Sequence, residues 1–314
     1  MRDAPRQFTN LEIVAARPKK NSVDPQRPYA FLVEAERTAA GEVVDVATIF
    51  LTNRECPFRC LMCDLWMNTT DETVPKGAVP AQIDFALQRL TPTRQVKLYN
   101  SGNFFDPRAI PVADHAAIAA RVRPFENVIV ENHPRFCTQQ CVRFHDRIGT
   151  SLEVAIGLET VHRAALTALN KQMGVADFDR ATKFLVERGI AVRAFILLRP
   201  PTLDEAEGVT WAIRSIEHAF GAGATCCSVI PTRGGNGIMQ QLQSVGLFAP
   251  PSMRSLEQVS AAGIALRAGR VFVDLWDSER LSTCTRCGPA RVERLRLMNE
   301  TQTYVDQINC CCGT

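Results

Sequence analysis

Short apolar runs alternate with amphipathic stretches along most of this chain. Residues 31–36 and 43–51 are rich in apolar and β-branched residues and flank Ala39-Ala40-Gly41, which predicts two strands joined as a hairpin. Further strands are expected at 96–99, 128–131, 152–158, 192–198 and 224–230. Helices are expected at 82–90, 111–122, 161–169 and 178–188, the last stopped by Gly189. Thr202 with Glu205 reads as a capping box that opens a longer helix. Residues 291–297 alternate and predict a strand with arginines on one side, a face suited to RNA phosphates or merely to solvent. Near-continuous apolar strands between helices argue for a parallel sheet covered by helices. Taken alone, this pattern suits a flat doubly wound sheet nearly as well as a barrel. In either case ligands gather at the C-terminal ends of the strands. The first 27 residues have weak periodicity and read as a partly mobile lead-in.

Composition narrows the picture. The 314 residues are 46% hydrophobic and 22% charged, an ordinary globular balance. A net charge of +3 permits a local basic patch and does not argue for nucleic-acid binding. No export signal and no apolar run of membrane-spanning length are visible. Twelve cysteines are many, and they are clustered. Clustered thiols in a long chain fit metal sites in a reducing cytoplasm better than a disulfide framework.

Cys56, Cys60 and Cys63 follow the 43–51 run in C-x3-C-x2-C spacing. Three thiolates so close can hold three corners of a cubane iron–sulfur cluster and leave one iron open to a small molecule. The plainer alternatives are buried free thiols or half of a zinc site, although zinc prefers four closed ligands. The motif resembles the signature of the radical S-adenosylmethionine (SAM) enzymes. Met62 stands where that family commonly has an aromatic residue, with Phe58 and Trp66 nearby. The runs Thr52-Asn53-Arg54-Glu55-Cys56-Pro57-Phe58-Arg59-Cys60, Lys97-Leu98-Tyr99-Asn100-Ser101-Gly102 and Ile156-Gly157-Leu158-Glu159-Thr160 are similar to the radical-SAM subunit of archaeosine synthase and its uncharacterised relatives. That group has an Elongator-catalytic-subunit-like core.

The resemblance implies a partial (β/α)6 TIM-like barrel with a small cysteine-rich C-terminal extension. The division expected is a lead-in and hairpin over 1–44, the barrel over 45–245 and the extension over 246–314. It implies a [4Fe–4S] cluster on Cys56, Cys60 and Cys63, with SAM cleaved reductively to a 5′-deoxyadenosyl radical. The substrate it implies is a tRNA base, through C–N cleavage at a lysine-modified deazaguanine. An electron donor such as flavodoxin or ferredoxin would then be a partner. Radical chemistry on a small molecule or peptide is an alternative, and so is a non-catalytic metal-bearing RNA-binding or scaffold protein.

Asn100, Ser101 and Gly102 lie where the superfamily binds the methionine amino group of SAM, and a locally bonded turn is the bland reading. Glu159 is expected near the ribose or amino group, or as an acid at a helix N-terminus. Arg199 is expected to meet a carboxylate, or to lie on the surface. His133 and Arg135 end a strand and are candidates for facing substrate. Cys284 and Cys287, with Cys310 and Cys312 of the Cys310-Cys311-Cys312 tail, read as a second site for zinc or an auxiliary iron–sulfur cluster. Cys137, Cys141, Cys226 and Cys227 read as ordinary thiols.

Overall fold

A computed structural model describes residues 7–310 and residue 312; residues 1–6 of the expected lead-in, and Cys311, Gly313 and Thr314 of the tail, lie outside the described residues. The strands are β1 (Ala30–Arg37), β2 (Val43–Phe50), β3 (Gln95–Tyr99), β4 (Asn127–Asn132), β5 (Ser151–Glu159), β6 (Ala191–Leu198), β7 (Cys226–Pro231) and β8 (Arg270–Val273). They form one sheet in strict sequence order. β1 pairs antiparallel with β2 through the expected hairpin, and β2 to β8 are all parallel. The helices are α1 (Asn10–Ala15), α2 (Ala78–Leu87), α3 (His115–Val122), α4 (Gln139–Ile148), α5 (Arg163–Ala168), α6 (Val175–Val186), α7 (Glu205–Gly221), α8 (Ile238–Ser244), α9 (Met253–Ala265) and α10 (Gly288–Thr301). The fold is an α/β partial barrel, as expected. β8, which the apolar pattern did not announce, extends the sheet beyond the six expected units.

The two faces of each strand differ. Val96, Leu98, Val128, Val130, Val154, Ile156, Val192 and Ala194 bury one face against Ile83, Ile118, Phe144, Phe178, Leu185 and Ile216 of the helices. The alternate positions carry Lys97, Glu131, Glu153, Glu159 and Arg193, all buried or nearly so. Toward the N-terminal ends of the strands these groups pair off. Lys97 lies 2.6 Å from Glu36 of β1, and Arg193 lies 2.6 Å from Glu36 and 2.5 Å from Glu153. Arg270 adds 2.6 Å to Glu153. Contact between β1 and β6, which are not sheet neighbours, shows the sheet curled around this charged plug.

α10 closes the free edge of β8 with side-chain amides. Asn299 bonds both N–H and C=O of Val273, and Gln302 does the same for Val271. An uncovered edge would offer these groups to another chain. The strand expected over 291–297 is therefore helix. Its basic face is also absent: Arg291 and Arg294 are buried on Glu257, at 2.6 and 3.2 Å, and Arg296 pairs with Glu293 and Glu300. Spacings of three and four residues share a helix face, and tertiary contact with α9 decided the period. The capping box lies two residues later than expected: Asp204 caps α7 and is answered by Glu207. Glu205 instead accepts from Ser252 and Ser255 before and within α9. Gly189 does end the α6 region, in a left-handed conformation.

A candidate cofactor site at the mouth of the barrel

The cysteine loop leaves β2 under control. Gln82 of α2 accepts from Thr52 N–H and donates to the Thr52 and Pro25 carbonyls, which carries the pairing two residues past the strand. Beyond it, the backbone around Cys56, Cys60 and Cys63 is held by side chains from distant elements. Asn170 donates to Arg59 O at 2.8 Å, and Asn236 donates to Leu61 O at 2.6 Å and Cys63 O at 3.2 Å. Trp66 Nε1 donates to Cys63 O at 3.0 Å. Leu61 packs with Ile13, Ile238, Met239, Leu242 and Phe248 in a small core of its own. Glu55, just before the loop, gathers Arg17, Lys20 and Arg59 within 3.0 Å. The described part of the lead-in thus contains α1 and an arm that clasps the loop. A side chain at Gly237 would meet Ala16 O at 1.8 Å, so glycine is required there.

Burial pushes all three thiols up, Cys60 to about 12. Such a pocket disfavours lone thiolates, whereas a bound iron cluster would bring the positive charge that favours them. Asn103 Nδ2 already donates to Cys56 Sγ at 3.2 Å, and its Oδ1 accepts from His133 N–H.

Next to the loop stands the turn after β3. Ser101 is left-handed there, and Glu131 of β4 accepts from the amides of Asn100 at 2.6 Å and Gly102 at 3.3 Å. Burial pushes the Glu131 carboxyl up to about 7, against the pull of these amides. Tyr29 OH meets Ser101 Oγ at 2.8 Å. Gly102 approaches the Cys56 side chain closely. Asn100 is fully buried, yet both amide atoms of its side chain lack a protein partner. An orphaned donor and acceptor in the turn that reaches Cys56 fit the zwitterionic end of a SAM molecule in chemistry.

Glu159 ends β5 in a left-handed conformation and forms a buried ion pair with Lys171. A Cβ on Gly157 would overlap both side chains. Burial works against the Lys171 ammonium, but Glu159 and the cysteines hold its pKa above the ordinary value. His133 stacks on Phe58 at 4.0 Å; its Nδ1 accepts from Arg135 N–H, which leaves Nε2 to donate to Lys171 O. Burial lowers its pKa to about 3, so the ring is neutral. Arg199 bonds Glu205 and Pro250 O, while its Nε has no partner. Asn100, Ser101 and Gly102 are therefore brought beside Cys56, Glu159 is committed to Lys171, and Arg199 to Glu205. Glu131, Asn103, Lys171 and Asn236 complete the site. Each has its partner far off in sequence, which periodicity does not reveal.

The second set of cysteines also converges. The sulfurs of Cys284, Cys287, Cys310 and Cys312 all lie within 4.8 Å of one another. Cys137 precedes α4 and Cys141 lies within it; Cys226 and Cys227 are buried in β7.

A curled parallel sheet whose first parallel strand delivers a three-cysteine loop is the arrangement that the resemblance to the radical SAM enzymes implied. No family model matches the chain. The chain is similar to archaeosine synthase subunit beta of Methanosarcina acetivorans, 25% identical over 259 residues that cover 79% of this chain and 75% of the relative. The solved structure of Methanocaldococcus infernus Elp3 shares the fold with a TM-score of 0.53 at 14% identity, over 80% of this chain and 63% of that one. Streptococcus suis SuiB bound to S-adenosylmethionine shares it with a TM-score of 0.51 at 11% identity, over 73% of this chain and 46% of that one. Among the described residues no helix is long and apolar enough to cross a membrane.

Proposed function

We propose that this chain is a radical SAM enzyme that modifies a tRNA base, by C–N bond cleavage of the archaeosine type. The observation that carries the reading is Asn100, a buried amide that no protein group satisfies, in the turn that reaches Cys56 through Gly102 and Asn103. Cys56, Cys60 and Cys63 would hold a [4Fe–4S] cluster, which supplies one electron to a bound SAM and so gives access to a 5′-deoxyadenosyl radical. The amide of Asn100 offers one donor and one acceptor to the amino and carboxylate groups of SAM. Ser101 and Gly102 keep that turn flat against Cys56, and Glu131 fixes it from below through its amides. Lys171 places a positive charge near the thiolates, balanced by Glu159. Phe58 stacks on His133 beside the cysteine loop and would shield one side of the bound group. Similarity to archaeosine synthase subunit beta supports the tRNA substrate, and a flavodoxin or ferredoxin would supply the electron.

The test is direct. Anaerobically reconstituted protein, reduced in the presence of SAM, should release 5′-deoxyadenosine, and Cys60→Ala should release none. Mass spectrometry of tRNA nucleosides from cells with and without the gene should reveal one missing nucleoside. Absence of iron from the triad in oxygen-free material would sink the reading.

A further inference from the structure

We propose that Cys284, Cys287, Cys310 and Cys312 bind one tetrahedral zinc ion, and not an auxiliary iron–sulfur cluster, to staple the end of the chain onto α10. The sulfurs decide it. Cys284 Sγ lies 3.9 Å from Cys310 Sγ, and Cys287 Sγ lies 3.7 Å from Cys312 Sγ. With Zn–S bonds of about 2.3 Å, the edge of a regular tetrahedron is about 3.8 Å. In a cubane each thiolate caps a different iron, which spreads the sulfurs to roughly 6 Å, beyond the 4.8 Å that contains all four here. The contacts are also far longer than a sulfur–sulfur bond of about 2.05 Å. Four thiolates leave no open position, so the ion is structural.

The surroundings suit that ion. Cys287 is the residue just before α10, so negative thiolates would sit at the positive end of a helix of 14 residues. Gly288 N–H bonds Cys284 O at 2.9 Å, which closes the knuckle turn. The tail returns along α10, where Arg294 donates to the carbonyls of Val305 and Asp306 at 2.8 and 2.9 Å. The far end of the same helix carries Asn299 and Gln302, which cover the β8 edge. Zinc at one end of α10 therefore secures the seal at the other.

The inference stands apart from the proposed reaction, and one metal count separates them. The protein and its Cys56→Ala/Cys60→Ala/Cys63→Ala and Cys310→Ser/Cys312→Ser variants are purified without oxygen from medium holding both iron and zinc. Metals are counted by mass spectrometry, and the zinc X-ray absorption spectrum is recorded. Expected is one zinc per chain, with four sulfurs at about 2.3 Å, retained in the triad variant and lost in the tail variant. The tail variant keeps its triad iron, which shows that it still folds, and its residues 271–273 exchange amide hydrogen at least tenfold faster. Iron retained by the triad variant and lost when the tail cysteines are also replaced would overturn the proposal. So would disulfides in place of metal.

Discussion

Asn103 ties the turn after β3 to the cysteine loop by a single hydrogen bond to Cys56 Sγ. A donor on a cluster sulfur stabilises the reduced state and raises the reduction potential. Asn103→Leu should therefore lower the potential by tens of millivolts, measurable by redox titration followed by electron paramagnetic resonance, while iron content stays the same. Glu131 gives a pH prediction. Burial has raised its pKa to about 7, so it gains its charge as the pH rises through neutrality. Its grip on the Asn100 and Gly102 amides strengthens with that charge. SAM affinity should accordingly rise between about pH 6 and 8, and Glu131→Gln should flatten the profile. A wild-type profile already flat by calorimetry would contradict this role. At this scale the sequence was legible where residues act within one loop. Cys56, Cys60 and Cys63 stand out by their spacing, and Asn100 to Gly102 were expected from the resemblance to the superfamily. Glu131 and Lys171 were not, because each is a lone charge in an unremarkable run until the sheet brings it to its partner.

The elements were legible in kind, and less so at their ends. β3, β5 and β6 fall within a residue or two of expectation, because apolar β-branched runs bounded by turns admit few alternatives. α10 was misread because buried arginines broke its amphipathic period: Arg291 and Arg294 satisfy Glu257 instead of water. α1 was missed because six residues carry too little pattern, and its Thr9–Glu12 capping box was the available signal. That helix leads into the arm which clasps the cysteine loop. Glu55→Ala would release Arg17, Lys20 and Arg59 together. The expected result is a several-fold faster loss of cluster absorbance in air, with global stability changed by no more than about 1–2 kcal/mol. Asn236→Ala should act in the same direction, since the Leu61 carbonyl loses its side-chain donor and the Cys63 carbonyl keeps only Trp66.

For the whole molecule, the charged plug is the feature that closes one end of the barrel. Arg193 is fully enclosed and serves Glu36 and Glu153 at once. Arg193→Ala would leave buried Glu36 with Lys97 alone and buried Glu153 with Arg270 alone, and should cost about 3 kcal/mol, read from denaturant midpoints. Burial alone would raise Glu36 and Glu153, yet their arginine and lysine partners hold both pKa values below the ordinary range. Their contribution is thus present above the unfolded carboxylate range and is lost as acid takes the pH down through it. Unfolding should steepen below about pH 4, and a conservative Glu153→Gln should shift that limb.

The clasp on the cysteine loop has a consequence for biosynthesis. Residues 10–20 and the loop leave the ribosome early, but Asn170, Asn236 and α8, which seat them, emerge much later. During that interval the three thiols hang on an unfinished scaffold, open to a carrier that delivers iron. Completion of the carboxyl-terminal half then shuts the door, so loading during translation should succeed where a finished apoprotein accepts its cargo slowly.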